Sequence, residues 1–446
     1  MQQSPSLETV RGLVREGEVH RDVYTDPAVF DREMAQVFAN TWVYVGHASQ
    51  IPNTADFITT TIGVKPVVMV RHSDGSIRVL HNRCPHKGTR VANEMCGNAG
   101  RFFRCPYHAW SFRTDGSIAA IPLPAGYEGT AFKASAAAQG MSPVRHVHVY
   151  REFVFARLAE TGIGFEAYFG DSLSSLDNMV DRSPAGRLEV AGGVLRYMHR
   201  CNWKMLVENL TDTTHPMVAH ESSAGTAVML GRMQPEGTPK HPAVEIYAPF
   251  VMPYQFYESM GIRVWPNGHG HTGVAHSIHS DYAAVPGYFE AMVAAYGEAR
   301  AKAILDTNRH NTVYFPNMTL KGPIQALRIF KPIAVDRTLV ESWTFRLVGA
   351  PDQLLARTLL YSRLINAPSS PVGHDDLEMY ERAQDSLHSD ANPWVNMQRL
   401  YDPAELEQPT AVANGTTEWQ MRNQFRAWSR FMAAPAPSEP VMSGSA

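Results

Sequence analysis

Two short segments, Cys84-Pro85-His86 and Cys105-Pro106-Tyr107-His108, each pair one cysteine with one histidine. Residues 87 to 104, 18 positions, separate them, enough for a strand, a loop and a return strand. Two thiolates can hold one iron and two neutral imidazoles a second. Imidazoles in place of anionic thiolates raise the reduction potential of a [2Fe-2S] cluster above that of an all-cysteine one. Such a site would relay single electrons. A tetrahedral zinc accepts the same ligand types, although zinc fingers group cysteine with cysteine and histidine with histidine, whereas each segment here carries one of each. Pro85 and Pro106 directly follow the cysteines, where a fixed φ stiffens a loop that must hold metal geometry.

Both loops have to leave from strand ends. Residues 56 to 62, 66 to 72 and 76 to 82 read as strands, with Ser73-Asp74-Gly75 as a hairpin turn. Residues 109 to 113, an Asp115-Gly116 turn and 117 to 121 repeat the pattern, and 147 to 155 reads as one return strand. Ahead of the sheet, residues 27 to 40 form a helix: Asp26 caps it, Pro27 starts it, and Phe30, Met34, Val37 and Phe38 share a face. Further on, residues 190 to 198 form a strand, and 326 to 334 with 339 to 347 a long hairpin turning at Asp336-Arg337. Helices are expected at 353 to 365, 375 to 387 and 419 to 432.

A chain of 446 residues exceeds the usual single-domain size. The expected division is 40–155 around the cysteine and histidine loops, then 1–39 with 156–432, and the class is α+β. A hydrophobic content of 44% supports substantial cores, and a net charge of −3 gives no reason to invoke nucleic acid or a membrane surface. Residues 1 to 20 are charged throughout, unlike a secretory signal, and no run is long and apolar enough to span a bilayer. Cys96 and Cys201 are left as free thiols, which fits a reducing, cytoplasmic compartment. Residues 433 to 446 read as a disordered tail. Gly268-His269-Gly270-His271-Thr272-Gly273 matches the glycine pattern of dinucleotide-binding turns, but Pro266-Asn267 interrupts the approach and no helix-forming run follows. His269, His271, His276 and His279 are therefore read as lining a loop and a strand.

The paired ligands are those of a Rieske-type [2Fe-2S] cluster. Cys84-Pro85-His86-Lys87-Gly88 and Cys105-Pro106-Tyr107-His108-Ala109-Trp110 resemble the cluster loops of the Rieske non-haem iron oxygenases, in particular the large (alpha) subunit of the aromatic-ring-hydroxylating dioxygenases. The similarity begins at Tyr24-Thr25-Asp26-Pro27 and continues through Trp42-Val43-Tyr44-Val45-Gly46-His47 and Ile51-Pro52. It implies an antiparallel-β Rieske domain inserted in a helix-grip (START-like) catalytic domain, with the helix at 27 to 40 packing back onto the latter.

A second constellation separates an oxygenase from an electron carrier: Asn202-Trp203-Lys204, Glu208-Asn209, Asp212, His215 and His220. Non-haem iron(II) oxygenases hold iron through two histidines and one carboxylate on one face, leaving the opposite positions open. His215 and His220 are five apart, so on a continuous helix they would be rotated about 140° from each other. Pro216 offers the way out by ending or bending the helix. The family places its iron histidines at such a helix end, which implies His215 and His220. It places the carboxylate in a downstream Asp-Asp pair, which implies Asp376 in Gly373-His374-Asp375-Asp376-Leu377-Glu378, with Asp375 and Glu378 as alternatives. An acidic helix start is the other reading of these carboxylates. Asp212 lies three residues before His215, on the same face if the segment is helical. The resemblance makes it the inter-subunit electron bridge from His108 of a neighbour to His215; as a plain acceptor it would orient His215.

By the same resemblance the cofactors are a [2Fe-2S] cluster and a mononuclear Fe(II). A ferredoxin or flavin reductase fed by NAD(P)H is the donor, dioxygen is added to an aromatic ring to give a cis-dihydrodiol or a phenol, and the assembly is a homotrimer or an alpha3beta3 complex with a small beta subunit. A monooxygenase or O-demethylase shares the same iron site. An aromatic carboxylate substrate is one reading, with Arg196, Arg200, Arg328 and Lys331 as possible anchors.

Overall fold

The computed structural model describes residues 6–132, 139–278 and 285–434. It separates into two compact units, one of residues up to Glu33 with Glu166–Ala434, the other of Met34–Phe165. The expected tail from 433 falls outside the described residues apart from Ala433 and Ala434, as does His279.

In the Met34–Phe165 unit, Ile77–His81, Lys65–Arg71, Asp56–Ile62 and Cys96–Asn98 form an antiparallel sheet in that order. Phe103–Arg104, Ser111–Phe112 and Ile118–Ala120 form a second sheet. The expected strand at 109 to 113 shortens to Ser111–Phe112 because Ala109 takes a positive φ of 59° and turns the chain. The expected single return strand is a hairpin, His146–Tyr150 against Phe153–Arg157, with Val43–His47 on its outer side. Arg151 and Glu152 both adopt positive φ, 48° and 69°, the geometry of a two-residue turn between twisted strands. Those two charged residues interrupt the apolar run that suggested one strand. Phe57, Val68, Val70, Leu80, Phe103, Trp110, Phe112 and Met141 form the core, and Cys84 and Cys105 are buried within it.

The larger unit is built on eight antiparallel strands ordered Leu188–His199, Arg337–Leu347, Ala326–Ala334, Met318–Lys321, Asn311–Tyr314, Gly270–Thr272, Ile262–Val264 and Ala411–Ala413. A bulge interrupts the long edge strand between Ala191 and Val194. Gly192 there has φ 78°, and a Cβ would come within 2.2 Å of Leu359. Helices Asp352–Tyr361, Pro371–Ser386 and Trp419–Met432 follow. The first gives way to a π-helical turn at Ser362–Asn366, where a uniform helix was expected. The second starts at Pro371, four residues earlier than expected, because the Ser370 hydroxyl accepts from Gly373 N at 3.1 Å and Pro371 suits the first helical position. Asp375 and Asp376 therefore lie beyond the first turn, and the acidic-helix-start reading does not hold for them.

The helix Pro27–Asn40 is capped by the Asp26 carboxylate, 2.7 Å from Ala28 N. Its first half anchors in the larger unit through Glu33, which is fully buried and accepts from Trp203 Nε1 (2.9 Å), Trp428 Nε1 (2.7 Å) and Lys204 Nζ (2.5 Å). Glu33→Ala leaves the buried Lys204 ammonium without its counter-charge, so the expected loss is about 3–5 kcal/mol, read as a lower denaturant midpoint.

Three of the histidines buried in the same unit are held neutral by burial. His269 donates from Nε2 to Tyr168 O (3.0 Å) and accepts at Nδ1 from Phe315 N (3.0 Å), so a second proton would meet an N–H. Burial holds His199, His269 and His271 down to about 3. In the unfolded chain they titrate near ~6.5, so the stability they contribute is complete above that pH and is lost as pH falls toward 3. Each ring costs about 1.4 kcal/mol per pH unit in that window. The thermal midpoint is expected to fall from pH 7 to pH 5, which calorimetry would read directly.

Candidate metal centres

The two cysteine loops share one backbone pattern. Gly88 N donates to Cys84 O (2.9 Å) and Ala109 N to Cys105 O (3.1 Å), while Cys84 N donates to Thr89 O and Cys105 N to Trp110 O, both at 2.8 Å. The closing residues, Gly88 (φ 78°) and Ala109 (φ 59°), are both left-handed. Both cysteines are buried. Burial raises the Cys84 thiol, while backbone amides of His86 and Lys87 at its sulfur act in the opposite direction and favour the thiolate. The His86 and His108 rings approach to 4.6 Å, and His86 lies flat on Trp110 at 5.0 Å and 3°. His86 Nδ1 is buried with no hydrogen-bond partner, a donor set that fits a metal there.

One tetrahedral zinc would draw its donors to within about 3.3–3.8 Å of each other. Among the described residues, His215, His220 and Asp376 form the group of His, Cys, Asp or Glu donors whose atoms all lie within 4.8 Å. Cys84, His86, Cys105 and His108 do not form such a group, a spacing wider than one tetrahedral zinc would take.

The second centre depends on how the chain breaks. Helix Trp203–Asn209, opened by the Asn202 side chain accepting from Lys204 N, stops at Asn209. A single turn, Pro216–Ala219, then separates His215 from His220, one at each of its ends. Of the two expected ways out, ending or bending the helix, the chain takes the first: the helix stops at Asn209, before Pro216 opens a separate turn. The two rings come to 5.5 Å at 76°. Asp376 Oδ1 lies 3.6 Å from His215 Nε2 and 3.5 Å from His220 Nε2. Behind the rings, Asp212 Oδ2 is 3.5 Å from His215 Nδ1, and Asp375 Oδ2 is 3.2 Å from His220 Nδ1. Each Nδ1 faces a carboxylate and each Nε2 faces Asp376, the tautomer arrangement a metal-binding histidine needs.

Asp212 reaches His215 through a turn rather than a helical face: its Oδ1 accepts from Thr214 N (2.7 Å) and Thr214 Oγ1 (2.8 Å). Burial acts to raise its carboxyl, but His215 and those Thr214 bonds outweigh it and hold it down to about 2. It stays an anion at neutral pH.

Two residues at this centre take roles that the sequence does not assign them. Asn209 Nδ2 sits 3.1 Å from His215 Nε2 and 3.3 Å from Asp376 Oδ1. Asp375, read from sequence as an alternative ligand or a helix-start carboxylate, instead bonds His220 and accepts from Ser223 Oγ at 3.2 Å. A doubled aspartate facing an upstream histidine pair was the available signal for it. Glu208 accepts from Tyr24 Oη at 3.0 Å, and burial pushes its carboxyl up to about 8. Among the proposed anchors, Arg196 and Lys331 both end on Glu341 (2.7 and 2.8 Å) and Arg200 is exposed. In the glycine-rich 268–273 segment Gly270–Thr272 forms a short strand, and no helix follows it directly among the described residues, as its flanks predicted.

Residues 41–136 match the family model of the Rieske [2Fe-2S] domain, and residues 188–407 that of the ring hydroxylating alpha subunit catalytic domain. The toluate 1,2-dioxygenase alpha subunit of Pseudomonas putida is 29% identical over 393 residues, 85% of this chain and 83% of that protein. The anthranilate 1,2-dioxygenase large subunit of Acinetobacter baylyi is 28% identical over 93% of this chain and 89% of its own length. The structure of naphthalene 1,2-dioxygenase with indole bound superposes with a TM-score of 0.77 over 97% of this chain and 95% of that one at 22% identity, a likeness of fold.

Removing the carboxylate behind His220 frees the ring to rotate. Asp375→Ala is therefore expected to weaken iron retention against a chelator by about 10–100-fold while leaving the cluster's visible absorbance unchanged.

Proposed function

The chain belongs to the Rieske ring-hydroxylating dioxygenases as an alpha subunit, oxidoreductases with a [2Fe-2S] cluster and a mononuclear iron, and from that premise we propose a residue-level assignment of its two centres. Cys84, His86, Cys105 and His108 hold the cluster. His215, His220 and Asp376 hold the mononuclear iron, with Asp212 and Asp375 fixing the two imidazoles from behind. The observation that carries this reading is the convergence of three donors within 4.8 Å of one another, the histidines backed by separate carboxylates.

The iron, when bound, supplies the activation of dioxygen for addition to an aromatic ring. The protein's own part is to aim both Nε2 atoms at one point and to hold Asn209 against His215 and Asp376. Electrons from NAD(P)H come through a separate ferredoxin or flavin reductase. Asp212, anionic and pointed at His215 Nδ1, is the bridge from the His108 of a neighbouring subunit, in a homotrimer or an assembly with a small beta subunit. No helix among the described residues is long and apolar enough to cross a membrane, in keeping with work in the cytoplasm. Relatives named for toluate and anthranilate make aromatic acids the first substrates to test, and ring cis-dihydroxylation the first product to seek.

Labelled dioxygen decides the reaction: both atoms of one molecule in a single diol support cis-dihydroxylation, and one atom alone supports the monooxygenase or O-demethylase reading. His215→Ala is expected to keep the cluster's absorbance and lose bound iron and product. Loss of the absorbance too would overturn the separation of the two centres. Asp212→Asn is expected to keep both metals while slowing re-oxidation of the reduced cluster in the presence of substrate and dioxygen; undiminished turnover would remove Asp212 from the electron path.

A further inference from the structure

The large sheet sorts its cations by face. In antiparallel pairing, opposed residues project to the same side and alternate residues along a strand do too. Arg196 pairs with Glu341, which pairs with Ile329, so these three share a face with Lys331, two residues on. There Glu341 neutralises both cations. Arg328 pairs with Ser342 and with Thr319, one step out of phase, and so projects to the opposite face with Tyr197, His199 and Lys321.

That second face is the one covered by the helix carrying Asp376. The His199 and Tyr380 rings lie 5.7 Å apart, and Tyr380 is one turn along from Asp376. Lys321 is 6% exposed, and its Nζ makes a single hydrogen bond among the described residues, to Tyr361 Oη at 3.0 Å. Arg328 faces the Tyr197 hydroxyl. Neither cation has a carboxylate within 4 Å among the described residues. They occupy diagonal positions on neighbouring strands, about 7–8 Å apart at the backbone. Burial and the nearby Arg328 charge push Lys321 well below the usual range for a lysine, with Asp376 acting in the other direction. Lys321 is enclosed and Arg328 half-buried beside it, and a buried ammonium without a counter-anion is costly to fold around unless an anion completes it.

Resting on the iron assignment above, we propose that Lys321 and Arg328 form an anion subsite that receives the carboxylate of an aromatic acid substrate while its ring is presented to the centre of His215, His220 and Asp376. A planar carboxylate can accept from the fork of Arg328 and from the free donors of Lys321 together. Tyr197 and Tyr361 hold the two cations from behind. The subsite selects for acids over neutral rings of the same shape.

The test is anaerobic calorimetry on the holoprotein with benzoate, 4-toluate and anthranilate against their amides. The expected result is that at least one acid binds about tenfold or more tighter than its amide. Lys321→Met and Arg328→Gln should each lower acid affinity by about 10–100-fold with little effect on the amide, and Lys321→Arg should retain the preference. Amides binding as tightly as every acid in the unaltered protein overturn the proposal even if the variants fail to fold. Equal weakening of acid and amide in folded variants does the same and leaves these side chains a structural part. Iron-loaded protein that oxidises an aromatic compound yet shows no acid preference sinks the subsite alone. A preference that persists in protein unable to bind iron sinks the iron assignment alone.

Discussion

The catalytic unit depends on turning two imidazoles so that both Nε2 atoms face one point. A free imidazole has two equivalent edges and a rotatable stem; a carboxylate set against Nδ1 removes both freedoms. Asp212 does this for His215 and Asp375 for His220, from places far apart in the chain. Asp212 is local, locked by its own turn onto Thr214, whereas Asp375 arrives on a helix more than 150 residues later, beside Asp376. In the proposed assignment one helix thus delivers a ligand and the positioning group of another ligand. Its start at Pro371, fixed by Ser370, sets where both carboxylates fall.

The break in the upstream helix is the matching constraint. Five residues of uninterrupted helix would turn the two histidines apart. The chain instead ends one helix at Asn209, spends six residues in a connector and makes one turn from Pro216 to Ala219. Asn209, the last residue of that first helix, is left between His215 and Asp376. Glu33 secures the base of the same helix by taking Trp203 and Lys204, so anchor and site are two ends of one seven-residue element.

What was legible in the sequence was local. The cysteine and histidine pairs announce themselves by type and spacing, as does the helix at 27 to 40, where cap and apolar periodicity agree. Asp376 came from a resemblance rather than from spacing, because nothing local ties position 376 to position 215. Facing within the sheet was not legible: Arg196, Arg328 and Lys331 look alike as cations near strands, and only the register tells that two of them end on Glu341. Lys321 escaped notice because its strand is four residues long and buried on both sides, with no alternation to mark a polar face. The hairpin at Arg151 and Glu152 was hidden for a related reason, since a tight turn of two charged residues leaves the apolar content around it unchanged.

The twin cysteine loops carry a consequence in their one point of difference. Their backbones close through the same two hydrogen bonds, yet the histidine stands two residues after the cysteine in the first and three in the second. That offset places one ring under the Trp110 indole and leaves the other exposed to solvent. A duplicated clamp has thereby acquired an inner and an outer ring. Two chemically alike side chains are unequally covered, and a one-residue offset in an otherwise repeated loop is enough to make them so.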